Sequence, residues 1–406
     1  MDGQHIIDRE RLFGAQNYAP LPVVLSHGRG AQLFDVAGKR YIDMMSAYSA
    51  ASFGHLHPRL VKAARDQLER LDIVSRAFHS DNLGAFCQEL AEFCGLDACL
   101  VMNTGAEAVE TAIKAARRYA YDELAIPPDT AEIIVAHGNF HGRTTTIVGF
   151  SDDPNARRGF GPFAPGFAHV PFGDAGAAER AVNPSTAAIL VEPIQGEGGV
   201  IVPPRGYLSD LRRICDRHGI LLIFDEVQSG FGRTGRDFAW MHEDARPDGV
   251  TVGKALGGGI LPVSAFVARR ALMNVFTPGS HGSTFGGNPL AAAVGREAIA
   301  LMREEELSAR SARLGAVLME AIEALRSPAV IAARGRGLWV GVELDPALAR
   351  GKDVCLALLR RGVLAKETHE TVLRLAPPLV IEESELLEAI GALGAALEET
   401  AAARTG

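Results

Sequence analysis

Ile220-Leu221-Leu222-Ile223-Phe224-Asp225 is the run on which the fold can be read. It is a continuous apolar stretch of strand length with no polar alternation, bounded by Gly219 and by the polar Asp225-Glu226. Such a run describes a β-strand covered on both faces, as in a parallel sheet. Its closing aspartate stands at the carboxyl end of the strand, where α/β sheets present groups to ligands. Working outward, short apolar runs of the same kind occur at Cys99–Met102, Ile133–Ala136, Ala188–Val191 and Val263–Val267. Between several of them lie amphipathic stretches at helical spacing, with Val109, Ile113 and Ala116 in one and Leu208, Leu211, Ile214 and Cys215 in another. Strand and helix in alternation predict a mostly parallel sheet with helices on both faces.

The two ends of the chain read differently. Ala31–Val36 and Lys39–Met44 flank a turn and predict a hairpin. Pro58 opens a helix carrying Leu60, Val61, Ala64, Leu68 and Leu71, and a second helix spans Leu83 to Phe93. Long helices follow at Pro289–Met302 and Leu307–Leu325. After them come strands near Leu338–Leu344 and Val372–Leu375 and a helix near Glu383–Leu397. No repeat, low-complexity tract or linker interrupts the pattern. The expectation is a large α/β domain over 51–290, a smaller α+β domain over 291–406, and an N-terminal segment, 1–50, packed on the smaller domain.

Composition narrows the function. The 406 residues are 47% hydrophobic and carry a net charge of −8, ample for a core, with no basic stripe to bind nucleic acid. No apolar run approaches the roughly 20 residues of a membrane helix, and the charged N-terminus does not read as a signal peptide. Five cysteines, odd in number and without a CxxC pair, read as thiols in a reducing compartment. The expectation is a cytoplasmic protein that engages neither nucleic acid nor membrane.

Three patches invite other readings and fail them. Gly230-Phe231-Gly232-Arg233-Thr234-Gly235 fits GxGxxG after a strand, but the polar segment Arg236–Asp248, interrupted by Pro247, is no dinucleotide-binding helix. Gly249 to Lys254 has one residue too few for a phosphate loop, and Ala255 stands where Ser or Thr should bind magnesium. His55 and His57 lack the carboxylate or histidine spacing of a metal site.

One constellation survives. Asp225 at a strand end could hold a pyridine nitrogen protonated. Lys254 lies between Val250–Val252 and the glycines Gly257, Gly258 and Gly259, which let backbone approach a bulky ligand. Asn103-Thr104-Gly105-Ala106-Glu107 joins a strand to an amphipathic helix and can offer free N–H groups to a phosphate. Phe140, just beyond Ile133–Ala136, can stack on a ring. Amine, carboxylate, phosphate cradle and aromatic are the parts a pyridoxal 5'-phosphate (PLP) site needs.

With these residues in view the chain resembles the class III, or ω, aminotransferases of the fold-type-I PLP superfamily. The motifs NTGAEA at 103–108, VEPIQGEGG at 191–199, FDEVQSGFGRTG at 224–235, GKALGGG at 253–259 and GSTFGGNP at 282–289 carry the resemblance, which covers essentially the whole chain. NYAPLPV at 17–23, MSAYSA at 45–50, GNFHGRT at 138–144, LAKETHE at 364–370 and LRLAPPL at 373–379 narrow it to the ornithine δ-aminotransferase branch.

The resemblance implies a seven-stranded central sheet and a homodimer with shared active sites. It implies Lys254 as the Schiff-base lysine and proton carrier, Asp225 on the pyridine nitrogen, Gln228 on the ring oxygen and Phe140 against the ring. Gly105 and Ala106 would bind phosphate, and Thr284 would reach the phosphate of the neighbouring subunit. Tyr18, Tyr48 and Arg143 would hold the α-amino and α-carboxylate end of L-ornithine. Glu197 would pair with Arg374 as a switch that frees this arginine for 2-oxoglutarate; Glu192 would support the site.

His141, where this branch often has tryptophan, Phe285 in place of tyrosine, and Ser52-Phe53 depart from the pattern. They leave open a different ω-amine as donor: acetylornithine, 4-aminobutyrate, lysine or a specialised amine. A non-catalytic PLP-binding module is the remaining alternative, opposed by the retained Lys254 and Asp225.

Overall fold

The computed structural model describes residues 3–405. Its centre is a seven-stranded sheet in the order 98–102, 264–268, 249–252, 221–225, 186–191, 132–136, 167–170. Ser264–Ala268 runs antiparallel to both of its neighbours, and every other pairing is parallel. Leu221–Asp225 is central and buried at every position, which is why it contains no polar alternation. Each fully buried Leu, Ile or Phe of such a strand contributes roughly 1.5–3 kcal/mol relative to exposure. Phe167–Val170, an edge strand, was not legible in the sequence, because four residues that include His169 give no apolar run.

Helices cover the sheet. Gly105–Glu123 begins at a capping box: the Thr104 hydroxyl accepts from Glu107 N, and the Glu107 carboxylate accepts from Thr104 N. Tyr207–His218 is bounded by Gly206 and Gly219, both in the left-handed region. Pro289–Glu304 starts at Asn288, whose side chain accepts from Ala291 N at 2.8 Å. The helix after Pro58 ends at Leu68, short of Leu71.

The two ends of the chain meet. The hairpin forms from Gln32–Asp35 and Arg40–Asp43, and Arg40–Asp43 pairs in parallel with Val363–Leu364. A third sheet, ordered 330–335, 340–344, 372–375, 366–368, is antiparallel throughout. It holds Arg374 between Gly341 and Lys366. The final helix extends from Glu383 to Thr405. Among the described residues no helix is long and apolar enough to cross a membrane.

Candidate active site

At the carboxyl ends of the central strands lies a cavity of about 180 Å³ lined by Gly105, Ala106, Phe140, His141, Glu192, Asp225, Gln228 and Lys254, among others. The arrangement follows from the fold. Asp225 ends the central strand, and Gly105 and Ala106 open the helix after strand Ala98–Met102. The N–H groups of both residues precede the first intrahelical bond, Ala108 N to Thr104 O, so they face the cavity with the positive end of the helix dipole. The walls leave no room for larger residues here. A Cβ on Gly105 would sit 2.8 Å from Val227, and one on Gly142 would sit 2.7 Å from the Cβ of Ala106.

Asp225 is buried and held by three donors. His141 Nδ1 donates to Oδ2 at 2.7 Å; Thr251 Oγ1 and Val227 N donate to Oδ1, each at 3.0 Å. Burial pushes its pKa upward, but the hydrogen bond and charge of His141, together with the Val227 N–H and the charge of Lys254, hold it below the ordinary aspartate value. Burial likewise acts against a charged His141, yet Asp225 outweighs it and the imidazole pKa is raised. His141 Nε2 is buried with no hydrogen-bond partner among the described residues. Glu192, which accepts from Phe140 N at 3.1 Å, is pushed up by burial to about 7.

Lys254 faces these acids. Burial lowers its pKa, with Asp225, Glu197 and Glu192 opposing; a lowered value favours the neutral amine that a nucleophile needs. Its φ of +45° is left-handed, a strain that local packing must sustain in a residue with a Cβ.

A second cavity of about 470 Å³ shares Phe140, His141 and Gly142 with the first and adds Arg143, Asp152, Glu197, Thr368 and His369. Arg143 is exposed, its guanidinium 5.4 Å from the Phe140 ring centroid. Arg374 is 5% exposed. It donates to Glu197 at 2.5 Å and lies 4.9 Å from the centroid of the Tyr48 ring. Lys254, Asp225, Gln228, Phe140, Gly105 and Ala106 thus surround one cavity, with Arg143, Glu197, Arg374 and Tyr48 beside it.

Two expected residues stand apart in the single chain. Thr284 lines a surface hollow with Ser75, Arg76 and Ser283, and Tyr18 is 75% exposed. The Thr284 loop is nevertheless tied to the helix start, since Asn103 Nδ2 donates to Ser283 Oγ at 2.8 Å. The histidines of GHLHP face carboxylates: His55 pairs with Asp43 and His57 with Glu305. The sequence reading missed Thr251, which reaches Asp225 because the two are register partners on adjacent parallel strands, and it missed the bond from His141 to Asp225. No local pattern encodes either.

This fold and site define a class. The family model for class-III aminotransferases matches residues 13–397, and the chain belongs to that family. Among curated relatives, ornithine aminotransferase 2 of Staphylococcus saprophyticus is 50% identical over 383 residues, 94% of this chain and 96% of the relative. Among solved structures, the Toxoplasma gondii ornithine aminotransferase, which has partial PLP occupancy at its active site, aligns with a TM-score of 0.98 at 42% identity. That alignment covers 100% of this chain and 96% of the other. The acetylornithine aminotransferase of Elizabethkingia anophelis aligns with a TM-score of 0.89 at 41% identity, covering 98% and 100%.

Proposed function

We propose that this enzyme is an ornithine aminotransferase. It transfers the δ-amino group of L-ornithine to 2-oxoglutarate, giving glutamate and glutamate 5-semialdehyde, which cyclises to pyrroline-5-carboxylate. The observation that carries the proposal is the buried Arg374, paired with Glu197 and covered by Tyr48, beside the Lys254 cavity. A distal amine and an α-amine must each reach the one aldehyde carbon that Lys254 would hold as an imine. That requires two carboxylate anchors, one of which can be silenced.

PLP fits the site. The orphaned His141 Nε2, the helix start at Gly105 and Ala106 and the close glycine walls suit a flat, phosphate-bearing ring. When bound, PLP supplies an aldehyde that condenses with amines and a ring that draws electrons from the carbon being deprotonated. Lys254 would hold it and later carry the proton. Asp225, kept anionic by His141 and the Val227 N–H, would hold the pyridine nitrogen protonated. Gln228 would bond the ring oxygen, Phe140 would stack on the ring, and Gly105 and Ala106 would hold the phosphate.

For ornithine, Tyr18, Tyr48 and Arg143 would take the α-amino and α-carboxylate end while Glu197 occupies Arg374. For the oxo acid, Glu197 would swing away and Arg374 would grip the α-carboxylate with its planar fork. Residues 51–290 would carry the cofactor, with 1–50 packed against 291–406; the pairing of Arg40–Asp43 with Val363–Leu364 supports that division. Thr284 would complete the phosphate site of a second copy in a homodimer. The five free thiols support a cytoplasmic location.

The test is a half-reaction panel. The PLP-loaded enzyme is mixed with ornithine, acetylornithine, lysine and 4-aminobutyrate, and loss of the band near roughly 420 nm expected of a protonated PLP–lysine linkage is timed. Fastest conversion by ornithine supports the assignment. Preference for another amine reassigns the donor, and failure to convert with any amine removes the catalytic reading. An active monomer in sedimentation would end the dimer proposal.

A further inference from the structure

Ser46, Ala47, Tyr48 and Ser49 are consecutive and none is glycine, yet all four are left-handed, with φ of +42°, +47°, +57° and +75°. Each L-residue in that region presses its Cβ against the following carbonyl. A left-handed turn built from such residues persists only if its surroundings hold it.

The holding groups can be named. Asp43 Oδ1 accepts from the N–H groups of Met45 (2.8 Å) and Ser46 (2.9 Å) at the entry to the turn. Ser46 Oγ donates to Ala376 O at 2.7 Å, and Ser52 Oγ donates to Ser49 O at 2.8 Å. Both hydroxyl oxygens then accept from one group, Nη2 of Arg233, at 3.1 Å and 2.9 Å. Nη1 of the same guanidinium donates to Leu338 O at 2.9 Å and Pro377 O at 2.6 Å. One side chain therefore grips the start of the left-handed turn at Ser46 directly and its end at Ser49 through Ser52. It also grips the segment just after Arg374 and the residue two positions before strand Val340–Leu344.

Arg233 is fully buried, and among the described residues no carboxylate accepts a hydrogen bond from it. Burial pulls its pKa down to about 9, with the charge of Asp43 opposing. Keeping such a cation out of water is unfavourable. A well-packed apolar side chain can often replace a buried ionic group without loss of stability, so packing alone does not explain it. What the guanidinium supplies is a rigid fork of donors that meets four acceptors in fixed directions. At the apex of the turn it steadies, Tyr48 lies on the guanidinium of Arg374.

We propose that Arg233 is a positioning residue for substrate choice, holding the Ser46–Ser49 turn so that Tyr48 stays seated on Arg374. This rests on the reading of Tyr48 and Arg374 as substrate contacts. The substrates it would discriminate are ω-amines that carry an α-amino acid end, which Tyr48 can contact, from those that do not.

Arg233→Lys keeps the charge but cannot span four acceptors. Ser52→Ala removes one clamp at the far end of the turn and leaves the arginine in place, so it serves if the lysine variant does not fold. For each PLP-loaded variant, kcat and KM of the half-reaction are measured with ornithine and with 4-aminobutyrate, beside a Tyr48→Ile control. The expected result is a fall in the ornithine-to-4-aminobutyrate ratio of kcat/KM, by about tenfold for Arg233→Lys and less for Ser52→Ala. It should appear as a higher KM for ornithine, with kcat for 4-aminobutyrate retained. Equal losses on both substrates, or an unchanged ratio, overturn the proposal. If Tyr48→Ile itself leaves the ratio unchanged, the substrate reading fails first. If Tyr48→Ile shifts it while both clamp variants do not, only the role of Arg233 is lost.

Discussion

Replacing Glu197 by glutamine keeps the shape of the side chain facing Arg374 and removes its charge. In the wild-type chain this is a short, charge-assisted bond to a guanidinium that is almost completely buried. Hydrogen bonds to charged groups contribute about 1.5–3 kcal/mol and neutral ones about 0.5–1.5 kcal/mol, so the substitution weakens the closed pair by about 1–1.5 kcal/mol. The Glu197 side chain is 32% exposed, and solvent screening moves the value to the lower end. At about 1.4 kcal/mol per factor of ten, Arg374 becomes available about five- to tenfold more often. An α-carboxylate can then seat on Arg374 at less expense, and ornithine loses its exclusion from the wrong orientation. Single-turnover half-reactions with ornithine and with glutamate read this directly. The ratio of glutamate to ornithine efficiency should rise by about that factor. A ratio unchanged within twofold, in a variant that folds and binds PLP, would refute the claim that Glu197 silences Arg374.

Three further outcomes are expected. Lys254→Ala should abolish transfer and the band near about 420 nm without unfolding the chain; borohydride reduction of the loaded wild-type enzyme should fix label at position 254, and label elsewhere would displace the assignment. The raised pKa of His141 makes its contribution to stability complete below the ordinary value of 6.5 and lost as pH rises through the higher folded value. Thermal melts should therefore show a wild-type midpoint that falls on the alkaline side of 6.5, a fall that His141→Gln lacks; parallel profiles would contradict the pairing with Asp225. Gly315 lies in helix Leu307–Ala324 directly against the backbone of Gly337, so Gly315→Ala should destabilise by about 1–3 kcal/mol in urea unfolding, and a neutral result would mean that the helix can shift.

Much of the site was readable because its parts are short and contiguous. Asp225 is announced by the apolar run before it, the helix start at Gly105 and Ala106 by a capped strand-to-helix turn, and Lys254 by the glycines that follow. The residues around them were harder to read. His141 reads as a departure from the expected tryptophan, and only the folded chain sets its Nδ1 on Asp225. Arg233 reads as a charged residue in a glycine-rich loop, the kind of side chain that ordinarily faces water. Nothing near Tyr48 announces a left-handed turn, because the usual signal for positive φ is glycine and none is present. Thr284 and Tyr18 stand apart in the single chain.

The sequence by itself determined the alternation of strand and helix, the buried central strand and the chemical groups at the ends of the elements. Those features follow from side-chain periodicity and local hydrogen bonding, which act over a few residues. The tertiary structure alone decided the antiparallel direction of Ser264–Ala268, the edge place of Phe167–Val170 and the union of Arg40–Asp43 with Val363–Leu364. It also decided the seating of Tyr48 on Arg374 and the burial of Arg233. These depend on which distant groups exclude water from one another, and desolvation and strand register are properties of the packed whole.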